Sequence, residues 1–174
     1  MHCQSGLTLV EMLVGVALML LLLGLAMPAW DRLATYNGLV ADSNRTIGLI
    51  RLARSEAVGE GPVLVCASNS DCRRFDDGSP GLKAVLDHNN NRRHDAGEPV
   101  IAEIRLQPDT RLYWRSFRNR PYLRLDPRGT VYHQNGHFAL CRGRQGHKVV
   151  VSWLGSLRAE RQNAAEAAAL CERG

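Results

Sequence analysis

Oxygen-bearing side chains recur at alternate positions in the middle of the chain, directly after a short apolar run. They take the first, third, fifth, ninth and twelfth places of a loop with the ligand spacing that EF-hand loops use for Ca²⁺: Asp87, Asn89, Asn91, Asp95 and Glu98. Arg92 stands where such a loop needs glycine, and neighbouring arginine and histidine side chains oppose a cation. The alternative is a turn whose Asn and Asp side chains hydrogen-bond their own backbone. The sequence predicts one of these two structures.

Basic side chains concentrate in the second half of the chain. Between Arg105 and Arg128, seven arginines stand against two aspartates, with aromatic residues between them. A second set includes Arg144, Arg158 and Arg161. Arginine combined with aromatic residues is typical of nucleic-acid binding, whereas a solvated face or an acidic protein neighbour would use the same charges. The formal net charge of +5 suits an anionic partner without selecting one.

Signatures of enzymes are missing from the sequence. It contains no GxSxG, HExxH, P-loop or GxGxxG pattern. His133, His137 and Cys141 are spaced by four, but this stretch is β-like, and a cysteine there is better used in a disulfide. We therefore expect a chain that is not an enzyme and that has no cofactor, with Ca²⁺ as the one candidate.

The first thirty residues form an apolar segment with one charge. No charged residue occurs from Met12 to Trp30, and with Leu7–Val10 in front the stretch is long enough for a helix to cross a hydrocarbon layer of about 30 Å. Glu11 interrupts it. A carboxylate at such a depth costs roughly 2.5–3.5 kcal/mol on insertion scales, so it should have a partner or a function. The alternative is an ordinary signal anchor with an acidic residue near its border.

Gly6-Leu7-Thr8-Leu9-Val10-Glu11 resembles the motif of type IV prepilins. The resemblance implies that a prepilin peptidase cuts between Gly6 and Leu7 and that Leu7 becomes N-methylated. It also implies that Glu11 sets the register of assembly, because an unpaired charge in an apolar core is penalised. Pro28 then stands where pilins have a proline, and we expect a kink there. Leu7 replaces the usual Phe, and the leader lacks the customary Lys or Arg.

The rest of the chain predicts an α+β domain. Apolar and small residues at helical spacing continue the helix to Val58, with charged residues such as Asp42 on its other face. After Pro62, short runs of β-forming residues alternate with turn residues. The predicted strands are Val63–Cys66, Leu82–Leu86, Val100–Leu106, Arg111–Ser116, Tyr122–Leu125, Thr130–His133, Phe138–Cys141 and Lys148–Trp153. Ala159–Cys171 is Ala-rich and predicts a short helix.

The β region is similar to the GspH/FimT group of minor pilins, which shows a cysteine pair, an Asp/Asn-rich turn and a carboxy-terminal cysteine. Cys3 lies in the leader, so four cysteines remain for two disulfides in an oxidising compartment. Three connectivities are open, and we prefer Cys66–Cys72 with Cys141–Cys171. Some FimT-like pilins bind DNA through a Gly-Arg-x-Arg motif, and the matching place here lacks the first Arg.

These features together predict a pilin-like protein: a long amino-terminal helix, half transmembrane and half amphipathic, packed on an antiparallel β domain. The expected segments are a leader at 1–6, a transmembrane half-helix at 7–30, an amphipathic half-helix at 31–58 and a periplasmic domain at 59–174. We expect a minor pilin that takes part in type IV pilus assembly or initiation. The alternatives are a minor pseudopilin of a type II secretion system and a DNA-binding competence pilin. The expected partners are other pilins or pseudopilins, the prepilin peptidase, the bacterial inner membrane and DNA.

Overall fold

Across its described residues, the chain forms a long helix, then eight strands, then a short helix. The structure, a computed structural model, describes residues 8–131 and 134–171, without the side chains at 25, 26, 28 and 29. The elements are α1 Leu9–Glu60, β1 Val63–Ala67, β2 Gly81–Leu86, β3 Val100–Arg105, β4 Arg111–Ser116, β5 Leu123–Leu125, β6 Gly136–Arg142, β7 Gln145–Val151, β8 Leu157–Arg161 and α2 Ala164–Cys171. The predicted α+β class is confirmed.

Helix α1 begins and ends at residues suited to those places. The Thr8 hydroxyl accepts a hydrogen bond from the Glu11 backbone N–H (3.3 Å), as an N-cap residue does. At the other end, Gly61 has φ +129°, a conformation that side-chain-bearing residues rarely adopt, and Pro62 cannot continue the helix. The helix therefore extends two residues past the predicted end at Val58. Within the described part of the chain, no helix combines the length and the hydropathy that crossing a membrane requires.

The chain divides into two compact units, Met1–Tyr36 and Asn37–Gly174. In the described part of the first unit, large apolar side chains of α1 are exposed over more than half of their surface, for example Leu9 (77%), Met19 (68%) and Trp30 (71%). The second unit contains the remainder of α1, all the described strands and α2.

Two four-stranded antiparallel sheets make up the β part of the second unit. The first has the order β3-β2-β1-β5, and the second has the order β4-β6-β7-β8. In the first sheet β5 pairs with β1, with Val63 opposite Leu125, so a strand distant in sequence completes it. In the second sheet β6 and β7 form a hairpin whose two-residue turn places Gly143 at φ +56°. Glycine is favoured at such a position because a Cβ would be strained there.

The main core lies between the second half of α1 and both sheets. Its helix side chains are almost fully buried: Leu39, Leu49, Ile50, Ala53 and Ala57. They share one cluster with apolar side chains from the two sheets. Trp114 on β4 stacks on Phe138 of the paired strand β6, with ring centroids 4.3 Å apart. The predicted amphipathic helix is thus correct in its general placement.

Two sequence-based element predictions and one side-chain placement differ from the structure over the described residues. Residues 157–161, where we expected the start of a helix from Ala159, form strand β8 against β7. Helix α2 begins only after Asn163, whose side-chain oxygen accepts the Glu166 N–H while the Glu166 carboxylate accepts the Asn163 N–H. This reciprocal cap fixes the helix start. No strand is assigned to Thr130 or Val131. Residues 132 and 133 of that predicted strand lie outside the described residues. Asp42, expected on the charged face of the helix, is fully buried.

Candidate functional site

The amino-terminal motif places a carboxylate on an apolar helical surface. Glu11 lies in the first turn of α1, where its negative charge is favoured by the helix dipole. Its side chain is exposed, and so are the neighbouring apolar side chains of Val10 and Met12. Gly6 and Leu7, the predicted cleavage and methylation positions, lie outside the described residues. Backbone residue 28 is part of α1, the Pro28 side chain is not described, and the expected kink stays a prediction.

A buried acidic side chain holds α1 to the loop between β3 and β4. Both carboxylate oxygens of Asp42 lie 3.2 Å from the Gln107 backbone nitrogen, which donates to them. Arg45 Nη1 also lies 3.3 Å from one of these oxygens. A charged group is tolerated without solvent when it accepts such hydrogen bonds. This contact explains why Asp42 faces inward although its type predicts an exposed position.

Near the Asp42 contact, helix α1 and the loop between β3 and β4 also come close together at Gly38. A Cβ at Gly38 would lie 2.6 Å from Gln107 Oε1 and 2.7 Å from Arg142 Nη1. These two atoms are themselves hydrogen-bonded at 2.8 Å, with the guanidinium donating. Gly38 therefore makes room for a polar pair that joins the loop to the end of β6.

Ser43, one turn further along α1 from Leu39, meets a histidine of the second sheet. The Ser43 hydroxyl donates its hydrogen to the Leu39 carbonyl at 2.8 Å. His147 Nδ1 lies 3.4 Å from the same hydroxyl oxygen. Because the hydroxyl hydrogen is already used, Nδ1 is the donor in this second contact. Burial, and secondarily the charge of Arg161, lower the pKa of His147 below its ordinary value. Burial also lowers the pKa of His137, with Lys148 acting in the same direction. Both imidazoles are therefore favoured in the neutral form.

Two disulfides close the second unit, in the pairing that we prefer. Cys66 is bonded to Cys72 across a short turn, and Cys141 of β6 is bonded to Cys171 of α2. The second bond attaches α2 to the sheet, and Ala167 of this helix is buried. These two disulfides are consistent with a chain that folds in an oxidising compartment.

All five candidate calcium ligands lie in one Asp/Asn-rich loop, within the segment between β2 and β3. The buried Asp87 carboxylate accepts the backbone N–H groups of Asn91 and Arg92, each at 3.0 Å. Asn89 accepts the Asn91 N–H at 3.0 Å, and Asn91 accepts the Arg93 N–H at 2.9 Å. These hydrogen bonds are the ones expected of a turn whose Asn and Asp side chains bond their own backbone, which is the alternative to a calcium site. Arg92 has φ +67°, the sharp turn for which such a loop prefers glycine.

The far end of the same loop has one unsatisfied oxygen. The carboxylate of Asp95 accepts hydrogen bonds from the Asn89 and Asn91 amides, which lower its pKa. Glu98 Oε2 accepts the Asp95 backbone N–H at 3.0 Å, while Glu98 Oε1 is buried without a hydrogen-bond partner in the described part of the chain. Among the described residues, no group of three or more His, Cys, Asp or Glu side chains is arranged to hold a metal ion. Calcium binding stays a prediction.

The three arginines predicted for DNA lie on two elements and do not all face one side of the sheet. Arg144 lies in the turn between β6 and β7. Arg158 and Arg161 are three residues apart on β8, so their side chains point to opposite faces of the sheet. Arg158 forms an ion pair with Glu160, and Arg161 is opposite His147 in the register.

A different set of arginines does converge. A pocket of about 210 Å³ is lined by four arginines, one carboxylate and two further polar side chains, and we call it the arginine pocket: Arg92, Arg118, Arg120, Tyr122, Arg124, Asp126 and Gln134. Three of the four arginines belong to the basic run recognised in the sequence. The fourth, Arg92, comes from the Asp/Asn-rich loop, and only the fold brings it to the others.

Comparisons with known proteins agree with this architecture. Residues 42–155 match the family described as Type II transport protein GspH, and residues 1–27 match the prokaryotic N-terminal methylation motif. Pilin-like protein PilA1 of Thermus thermophilus is 31% identical over 169 residues, which cover 90% of this chain and 99% of that protein.

A solved structure supports the fold independently. The crystal structure of the type IV minor pilin FimU of Pseudomonas aeruginosa aligns with 80% of this chain and 98% of its own, with a TM-score of 0.53 and 18% identity. At this identity the likeness concerns the fold alone, a long helix followed by antiparallel sheets. The family match over most of the chain, the methylation motif and the shared fold have one consistent explanation: this chain belongs to the GspH family of type IV minor pilins and pseudopilins.

Proposed function

We propose that this chain is a structural subunit, a minor pilin that takes part in the assembly or initiation of a type IV pilus, and not an enzyme. The observation that carries the proposal is the exposed carboxylate of Glu11 on the exposed apolar surface of α1. A helix with this surface needs lipid or other apolar helices around it, because large exposed apolar areas mark interaction sites. Similarity to a pilin-like protein over 90% of the chain supports the same function.

In the proposed pathway, the prepilin peptidase removes residues 1–6, and Leu7 becomes the N-methylated first residue of the mature chain. Residues 7–30 anchor the protein in the bacterial inner membrane, with the second unit in the periplasm. The methylation motif matched over residues 1–27 supports this part of the proposal. Once the subunit enters a filament, other pilins replace the lipid around α1.

Glu11 would set the axial position of each subunit. Among apolar helices its carboxylate needs a positive partner, and the ammonium group at Leu7 of a neighbouring subunit supplies one. A subunit displaced along the filament axis would leave both charges unpaired in an apolar environment. Registers other than the paired one are therefore disfavoured.

Glu11→Ala tests this role. We expect the variant to remain in the membrane fraction but to be absent from sheared filaments, since the register-setting charge is lost. Asp31→Ala is the matched control, because it removes an exposed carboxylate of the same helix outside the apolar segment. Normal incorporation of the Glu11 variant would contradict the proposal.

Gly6→Val tests the processing step. We expect the variant to keep residues 1–6, because the peptidase of this family cuts after glycine, and mass spectrometry of the amino-terminal peptide reads the outcome. Gly15→Val is the control, since a Cβ there meets no atom within 4 Å and the position is outside the cleavage motif. Mature protein beginning at Leu7 in the Gly6 variant would contradict processing at this junction.

A minor pseudopilin of a type II secretion system is the second candidate, favoured by the family description over residues 42–155. Deleting the gene distinguishes the two functions. Loss of surface pili and of twitching with normal protein secretion indicates a pilus, and the reverse indicates a secretion system. The third candidate, a DNA-binding competence pilin, has less support because Arg158 and Arg161 face opposite sides of β8. Gel shifts at two salt concentrations test it.

A further inference from the structure

The side chains that line the arginine pocket carry more positive than negative charge. Four guanidinium groups and one carboxylate line it, which gives a formal balance of four minus one, or +3. None of Arg92, Arg118, Arg120 and Arg124 forms an ion pair with a carboxylate within the described residues. Like charges held close together repel each other, so an anion that binds between them relieves this repulsion.

The one carboxylate of the pocket is engaged elsewhere. Asp126 Oδ1 accepts the backbone N–H groups of Arg128 (3.1 Å) and Thr130 (2.9 Å). Asp126 Oδ2 accepts the Thr130 hydroxyl at 3.0 Å. These bonds build the turn after β5, and both oxygens are used within it. Asp126 therefore stabilises the wall of the pocket and leaves the guanidinium groups available.

Backbone hydrogen bonds hold three of the four arginines in place. The Arg120 N–H donates to the Ser116 hydroxyl at 2.7 Å, and the Arg120 carbonyl accepts the buried indole N–H of Trp114 at 2.9 Å. The Arg124 N–H donates to Gln134 Oε1 at 2.6 Å. Arg92 is anchored by its own N–H bond to Asp87. A fixed backbone lowers the entropy lost when an anion is bound, because part of the site is ordered beforehand.

The Arg124 side chain makes one further hydrogen bond, which helps to hold it in the wall of the pocket. Its Nη2 donates to Asn90 Oδ1 at 2.9 Å, whereas its Nε–H is buried and has no acceptor among the described residues.

We propose that the arginine pocket binds a phosphoryl group. A single carboxylate is satisfied by one guanidinium fork, whereas a phosphate monoester carries a charge of about −1.5 to −2 at pH 7 and three acceptor oxygens. Several guanidinium groups around one small pocket therefore match a phosphate monoester better than a carboxylate. Free phosphate offers this charge at one position, whereas a polymer offers it only through neighbouring phosphodiesters, each of which carries one negative charge. The site is separate from Arg144, Arg158 and Arg161.

The test uses the full-length protein in a non-ionic detergent, with inorganic phosphate and a short oligothymidylate as the two probes. Isothermal titration calorimetry measures the affinity of the wild type, of Arg118→Gln/Arg120→Gln and of Arg144→Gln/Arg158→Gln. Both pairs remove the same charge from exposed side chains, so neither is expected to disturb folding. We expect the first pair to weaken binding about tenfold or more and the second to change it less than about threefold.

The two probes also distinguish the source of the phosphoryl group. Binding of inorganic phosphate alone identifies a free phosphate site, and binding of the oligothymidylate alone identifies a polymer phosphodiester site. Polyglutamate is the third ligand. Binding of polyglutamate at an affinity equal to that of the phosphoryl probes, an equal loss in both variant pairs, or no binding of either probe would each overturn the proposal.

Discussion

Substitution of Asp42 tests how α1 is held to the β domain. In Asp42→Ala the Gln107 backbone N–H loses its acceptor, and a fully buried carboxylate is replaced by a methyl group. A hydrogen bond to a charged group contributes about 1.5–3 kcal/mol, and a donor left buried adds its desolvation. The ion pair with Arg45 adds at most about 1 kcal/mol, because Arg45 is half exposed. We expect a loss of about 2–4 kcal/mol in the free energy of unfolding.

The assay is denaturation of the full-length protein in detergent, followed by near-UV circular dichroism of its tryptophans, of which Trp114 is buried. At this chain length 1 kcal/mol corresponds to a shift in Tm of roughly 2–4 °C, so the expected fall is about 5–15 °C. Asp42→Asn keeps one acceptor oxygen and should lose about half as much. Arg45→Ala is the control, with an expected loss of about 1 kcal/mol or less. A loss below about 0.5 kcal/mol in Asp42→Ala would refute the assignment of this contact as the attachment of the helix.

Three further predictions concern stability. The pKa of His147 is lowered in the folded state, so the unfolded chain binds the proton more tightly. The contribution of His147 to stability is therefore complete above the ordinary histidine pKa near 6.5 and decreases as the pH falls below it. His147→Gln should flatten this pH dependence. Because Asp87 is satisfied by backbone N–H groups, Asp87→Ala should lower Tm, while EDTA should leave the wild-type Tm unchanged; a rise in Tm with CaCl₂ would instead support the calcium site. Replacing Cys141 and Cys171 together by Ala should cost about 3–4 kcal/mol from the loop they close, measured by denaturant titration, and a loss near zero would contradict that estimate.

Local patterns predict a large part of this molecule. The α+β class, the amino-terminal motif, most strands and the Asp/Asn-rich loop follow from short-range features such as helical spacing, turn residues and apolar runs. Strand β8 is missed because Leu157–Arg161 is a charged edge strand next to an Ala-rich stretch, and its partner β7 is what makes it extended. Asp42 is misplaced because its acceptor role depends on Gln107, which is 65 residues away in the chain.

The sequence by itself determined the processing motif, the apolar surface of α1 and the expectation of two disulfides. These depend on residue type and on spacing along one segment, which the chain carries whatever it packs against. Only the tertiary structure decided that β5 joins β1 to complete the first sheet, and that Arg92 meets Arg118, Arg120 and Arg124. It also placed Arg158 and Arg161 on opposite faces of β8, because side chains three positions apart in a strand face opposite sides. Charges from distant segments meet only once the chain has folded, and no local pattern encodes this.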